Sequence, residues 1–133
     1  MVSLKREEQY VDKQTKIVAV GDLCVNRSNS DSIFDLIRPE IKPADFAFGQ
    51  IETTYSTRGA VNPSGTYVTL RADPNNVPGI AHAGFHVALF ASNHCMDYGV
   101  EALADTISHF ESNGVRVIGA GNNLANVSSS GQG

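Results

Sequence analysis

Asp22 closes the apolar run "KIVAVG", Glu52 closes "ADFAFGQI", and Asn93 and His94 close "FHVALFAS". Two carboxylates, an amide oxygen and an imidazole are donors suited to a hard or borderline divalent cation. A cation so held polarises a substrate oxygen and lowers the pKa of its bound water to ~7, which gives hydroxide at neutral pH. His94 would then protonate a leaving group or steady developing charge. Asp97 has two readings: the N-cap of a helix that begins near Gly99, or a partner that orients His94 or holds substrate. Each residue taken singly also has a plain reading. Asp22 fits a turn or cap, Glu52 a solvated side chain, and His94 a buried, hydrogen-bonded ring. Their common placement at the ends of successive apolar runs is what favours a site.

The elements that must position them follow from the hydrophobic pattern. "KIVAVGD" (16–22) is short, apolar and bounded by Gly-Asp, the pattern of a buried strand. In "SDSIFDLIRPEI", Ile33, Phe34, Ile37 and Ile41 recur at helical spacing, with Ser30 or Asp31 placed to cap and Pro39 predicted to end the helix. "ADFAFGQIETT" sets Phe46, Phe48 and Gln50 opposite Ala47, Gly49 and Ile51, a second strand. A polar loop rich in Gly, Pro and Ser (56–66) leads to a short alternating strand, "YVTLRAD". "PNNVPGIAHAG" predicts a brief helix with Pro78 near its first turn and Gly84 at its end. "FHVALFAS" is the third main strand. Val100, Leu103, Ala104, Ile107 and Phe110 mark an amphipathic helix that Asn113-Gly114 stops, and "VRVIGAG" is a fourth strand. Strands alternating with helices imply an α/β domain with a largely parallel or mixed sheet and flanking helices. In such sheets ligands gather at the carboxyl ends of the strands, where Asp22, Glu52, Asn93 and His94 all fall.

Composition narrows the field further. At 133 residues, 41% hydrophobic and 18% charged, the chain fits one soluble globular domain or part of one. The net charge of −4 and the scattered histidines leave no basic patch for nucleic acid. No apolar run reaches the ~20 residues of a membrane span, and the charged N-terminus lacks the apolar core of a signal peptide, so the default expectation is cytoplasmic. Residues 1–15 read as a flexible lead-in, 16–125 as the α/β domain and 126–133 as a disordered tail. Cys24 and Cys95 flank the proposed site; they read as small buried packing residues, with a single bridge as the alternative. His82 and His86 read as structural and His109 as surface.

The ordered segments "VAVGDLCVNR", "ADFAFGQIETT" and "AGFHVALFASNHCMDYGVEALADTISHFESNGVRVIGAG" resemble the bacterial capsule-synthesis CapA family, also known as the PgsA-type or poly-gamma-glutamate synthesis family. The resemblance covers roughly residues 16–125. That family is similar to the calcineurin-like metallophosphoesterases, whose sheet-edge site usually holds two divalent metals. The resemblance implies Asp22 as a first-strand ligand, Glu52 as a bridging carboxylate, Asn93 as a ligating amide and His94 as the residue that stabilises or protonates. It implies a divalent metal (Mn, Zn or Fe), a polyanionic, phosphorylated or amide substrate, and a role in capsule or related cell-surface polymer synthesis. In that setting the chain is either a metal-dependent hydrolase or a non-catalytic member of a synthesis complex. Family members are often membrane-associated and outward-facing. This sequence departs from the pattern at three places. The phosphoesterase Asp-x-His reads Asp22-Leu23-Cys24, Asn-Leu-Glu reads Gln50-Ile51-Glu52, and Asn-Asn-His reads Ser92-Asn93-His94. Family domains also continue past the fourth strand, so the chain is expected to be the N-terminal part of a truncated domain, with an uncovered sheet edge that favours homo-oligomers.

Overall fold

The computed structural model describes residues 14–64, 68–121 and 123. In chain order the strands are β1 (Ile17–Leu23), β2 (Phe46–Ile51), β3 (Thr54–Tyr55), β4 (Arg71–Ala72), β5 (Val87–Leu89) and β6 (Arg116–Ile118). The helices are α1 (Arg38–Ile41), α2 (Val77–Ala83) and α3 (Gly99–Ser112), with 3-10 turns at Ser30–Phe34 and Pro74–Asn76. Strands β1, β2, β5 and β6 form one sheet in the order β1-β2-β5-β6 with every neighbour parallel, while β3 and β4 pair separately. The expected α/β architecture with a parallel sheet is therefore present.

The alternation read in β2 is realised. Ala47, Gly49 and Ile51 are buried, whereas Phe46, Phe48 and Gln50 are more open. Small side chains at Ala47 and Ala88, both fully buried, leave room for large neighbours. The core is built chiefly from Phe34, Ile51, Tyr55, Ile80, Phe90 and Phe110. Helix α3 lies across β3 and β6, and α2 lies against the first 3-10 turn. There Gly79 is needed for closeness, because a Cβ at that position would stand 2.5 Å from Ser30 Oγ. Register then does what the site requires. Asp22 pairs with Gln50, Gln50 with Leu89, and Leu89 with Ile118, so one row crosses all four strands. The segments after β1, β2 and β5 leave the sheet at that level, on its carboxyl edge.

Several expectations are corrected. The single helix over 30–41 is a 3-10 turn, a break at 35–37 and then α1. Pro39 lies in the first turn of α1 and starts it rather than ending a helix, because a first-turn residue needs no N–H donor. The Arg38 guanidinium spans the break, donating to the Asp31 carbonyl and to the Asp35 carboxylate. Neither Ser30 nor Asp31 caps; Asn29 precedes the turn without a side-chain capping bond. The strand read in "YVTLRAD" is only Arg71–Ala72, and Tyr67 lies outside the described residues. The buried stripe of α3 is Ala102, Thr106 and Phe110, while Val100 is 68% exposed. Cys24 is exposed rather than buried, Cys95 is half-buried, and both are free thiols. Residues 1–13 of the lead-in and the tail 126–133 fall outside the described residues. Among the described residues no helix is long and apolar enough to cross a membrane.

Candidate active site

The ladder to β6 runs one bond past β5 before the chain turns. Phe90 donates its N–H to the Ile118 carbonyl at 2.8 Å, and a run of turns follows. Cys95 N–H donates to the Ser92 carbonyl, Asp97 N–H to the His94 carbonyl and Gly99 N–H to the Met96 carbonyl. Gly99 has φ +78°, a left-handed conformation open to glycine at no steric cost. These turns place His94 and Asp97, three apart, side by side. Asp97 is buried, with 1% exposure. Its Oδ2 accepts two hydrogen bonds, one from His94 Nδ1–H at 2.7 Å and one from Leu70 N–H at 2.7 Å. A carboxylate oxygen that accepts from the ring fixes the proton on Nδ1 and leaves Nε2 to face outward.

Outward of Nε2 stands Glu52, just past the end of β2. Its Oε1 lies 3.8 Å from His94 Nε2. Its Oε2 is engaged twice, by Gln50 Nε2–H at 2.8 Å and by Ser92 Oγ–H at 3.1 Å. The Ser92 hydroxyl oxygen also accepts from His94 N–H at 3.1 Å, so the loop after β5 is tied to the residue after β2. Glu52 and His94 are each mostly enclosed, with side-chain exposures of 18% and 12%. Among the described residues, Glu52 Oε1 and His94 Nε2 make no closer polar contact than the one to each other.

Of the five residues the sequence nominated, the structure thus brings Glu52, His94 and Asp97 into one hydrogen-bonded group. The capping role for Asp97 is not realised. Tyr98 occupies the N-cap position of α3 without a capping bond, and the Asp97 carboxylate is turned to His94 instead. Asp22 and Asn93 are exposed and make no hydrogen bond to the group among the described residues. Asp22 stays on the same edge: with Glu52 it adds to the burial that pushes the Cys24 thiol pKa up. Sequence reasoning assigned no role in the site to Ser92, to Gln50 or to the Leu70 amide. The alternation of β2 carried a signal for Gln50. None existed for Leu70, whose contribution is a backbone N–H from a distant loop.

A divalent cation would find Glu52 Oε1 and His94 Nε2 here. Catalytic zinc sites use three protein ligands, and among the described residues no group of three or more His, Cys, Asp or Glu stands ready to hold an ion. Glu52 and His94 are thus two of the donors such a site needs.

A parallel sheet with flanking helices that carries an acid–imidazole–acid cluster at its carboxyl edge defines the class: an α/β domain with a polar sheet-edge site. The sequence matches the profile of the family described as "Bacterial capsule synthesis protein PGA_cap" over residues 11–130. The chain belongs to that family. It is 26% identical over 126 residues to the PGA biosynthesis protein CapA of Bacillus subtilis, an alignment covering 89% of this chain and 33% of that protein. It is 31% identical over 105 residues to the capsule biosynthesis protein CapA of Bacillus anthracis, covering 77% of this chain and 26% of that one. Over 57 residues it is 37% identical to the "Probable polyglutamine synthesis accessory protein" of Mycobacterium tuberculosis, covering 43% of this chain and 15% of that protein. The chain spans a third or less of the length of these relatives.

Proposed function

We propose that this chain acts in the synthesis or processing of a poly-gamma-glutamate capsule or a related cell-surface polymer, and that Glu52, His94 and Asp97 are its proton-handling group. The names of the Bacillus relatives support the first part. The observation that carries the second is the pair of atoms left facing one another, Glu52 Oε1 and His94 Nε2 at 3.8 Å. One oxygen or nitrogen atom of a ligand fits within about 2.6–3.2 Å of both, the reach of acid–base catalysis. Asp97 fixes the ring so that Nε2 is the nitrogen presented, and Gln50 and Ser92 hold Glu52 so that Oε1 is the oxygen presented. Such a pair can take a proton from a nucleophile and return one to a leaving atom. That chemistry suits a hydrolase or transferase acting on an amide or phosphoester of an anionic polymer. Where a divalent ion takes part, Glu52 and His94 are the donors this chain offers it, and further ligands must complete the shell.

A second reading, a docking component of a polymer-synthesis complex that turns nothing over, draws on one observation: most polar atoms of the cluster are bonded within the chain. The test replaces His94→Ala and Glu52→Gln in the gene that encodes this chain, in its own host. Protein level is followed by immunoblot and surface polymer by acid hydrolysis. General acid–base groups contribute about 10²–10⁴-fold, so polymer output is expected to fall at least tenfold at unchanged protein level. Wild-type polymer from both variants would refute the proton-handling role and leave the docking reading.

A further inference from the structure

The described parts of the segment between β3 and β4, 56–64 and 68–70, meet the turn after β5, and their anchor is Arg71. Its guanidinium lies over the Tyr98 ring, with Cζ 3.6 Å from the ring centroid. It also donates to the carbonyls of Arg58 and Gly59 at the far end of the same loop. Gly59, at φ +81°, is pressed so closely on this turn that a Cβ would stand 2.0 Å from the Tyr98 carbonyl oxygen. Both loop ends and the turn after β5 therefore meet at one side chain. Asp97 immediately precedes Tyr98, and Leu70 immediately precedes Arg71. Two loop amides then hold Asp97, Leu70 N–H at its carboxylate and Asn62 N–H at its carbonyl at 2.8 Å. The Leu70 carbonyl accepts from Thr54 Oγ1–H, which secures the strand but does not reach the turn. Arg71, through Tyr98, does.

We propose that Arg71, stacked on Tyr98, is a positioning residue that keeps His94 in the Nδ1–H tautomer with Nε2 facing Glu52. The proposal rests on the reading of Glu52, His94 and Asp97 as the working group. The physical argument is geometric. Arg is planar, so it can stack on an aromatic face while its N–H groups reach carbonyls in the ring-parallel plane, and Lys cannot do both. With the staple in place, Leu70 N–H and His94 Nδ1–H converge on the same carboxylate oxygen. Without it, the segment bearing Leu70 is left to the two amide bonds to Asp97 and to the longer contacts of Asn62 with Met96 and of Thr69 with Tyr98, both 3.5 Å, and can shift against the turn. The Asp97 carboxylate then no longer selects one ring nitrogen.

The full chain labelled with ¹⁵N in its histidine rings tests this on the alkaline side of the histidine titration, with His94 assigned by comparison with His94→Gln. In the wild type the two ring nitrogens of His94 are expected well apart, as in a single tautomer. In Arg71→Met, Arg71→Lys and Tyr98→Leu they are expected to move together as tautomers mix, whereas Tyr98→Phe, which keeps the ring, should retain the wild-type pattern. Arg58→Ala breaks a different loop anchor, the pair with Asp105, but leaves the Arg58 and Gly59 carbonyls for Arg71. It should melt lower yet leave His94 unchanged. An unchanged His94 in Arg71→Met and Tyr98→Leu would overturn the proposal, as would an equal shift in Arg58→Ala, which would mark a general loosening. Neither result bears on polymer output in the His94→Ala strain, so the positioning role and the proton-handling role fail separately.

Discussion

Replacing Asp97 is the perturbation with the most predictable cost. Its Oδ2 is buried and accepts two donors at 2.7 Å, His94 Nδ1–H and Leu70 N–H. Hydrogen bonds to a charged group contribute about 1.5–3 kcal/mol each, and a buried donor left without an acceptor costs about 1–3 kcal/mol. Relief from burying the carboxylate offsets part of this. Asp97→Ala should therefore destabilise by about 3–4 kcal/mol. Asp97→Asn should cost far less. Both donors converge on one oxygen, and the amide oxygen of Asn can take its place and lose only the charge, for about 1–2 kcal/mol. Urea unfolding reads the difference as a midpoint shift at constant slope. Hydrogen exchange at the Leu70 amide gives an independent measure, protected in the wild type and in Asp97→Asn but fast in Asp97→Ala. A loss below about 1 kcal/mol for Asp97→Ala, no more than an ordinary point substitution, with Leu70 still protected, would refute the convergence described here.

Two further outcomes follow from the same packing. The Tyr55 hydroxyl is buried, donates to the Leu23 carbonyl at 3.0 Å and accepts from Val25 N–H at 2.8 Å, and burial pushes its pKa well above the usual tyrosine value. Tyr55→Phe strands both backbone groups at the end of β1 and should cost about 2–4 kcal/mol, read by thermal unfolding; a neutral substitution would show that water replaces the hydroxyl. The hydrogen bond from Arg58, followed by that from Ser56, lowers the Asp105 pKa from 3.8 to about 2. A carboxylate held below its unfolded value stabilises the fold above that value and loses its contribution as pH falls through the folded one. Because the Arg58 side chain is 60% exposed, screening leaves about 1 kcal/mol. That share should disappear between about pH 5 and pH 2 in the wild type and be missing from Asp105→Asn, as acid titration followed by circular dichroism would show. Identical acid midpoints would refute it.

How far the sequence could be read depends on the range of the forces involved. Strand alternation and helix spacing are local, so β1, β2, β5, α2 and α3 were legible, and so was the carboxyl edge on which Glu52 and His94 meet. Pro39 was misread because a proline that ends one helix and a proline that opens the next leave the same trace in an apolar pattern. The face of α3 was misread at Val100 because the buried stripe runs through Ala102, Thr106 and Phe110, a face turned away from Val100, and the polar Thr106 within it hides that offset from a hydrophobic pattern. Asp97 carried two readings because capping and ring orientation both want a carboxylate just before a helix. The choice fell to Leu70, a backbone donor 27 residues away in sequence, which no local pattern encodes.

The proposed proton-handling role accounts for the division of atoms at the site better than simple packing does. If the cluster served only to close the sheet edge, the economical arrangement would pair Glu52 with His94 directly, since a buried carboxylate beside an imidazole gains most from a short contact. Instead each is bound on its far side. Gln50 and Ser92 take Glu52 Oε2, Asp97 takes His94 Nδ1, and Oε1 and Nε2 stand 3.8 Å apart, beyond hydrogen-bond length. On the proposed reading, the two groups are held apart for a third atom, at a cost in stability that a packed edge would avoid. Glu52→Gln keeps an oxygen for Gln50 and Ser92 and should accordingly cost no more than about 1–2 kcal/mol. A loss of more than about 2 kcal/mol in Glu52→Gln, the size expected for a broken buried pair, would mean that the gap is closed in solution and that the cluster is a structural latch.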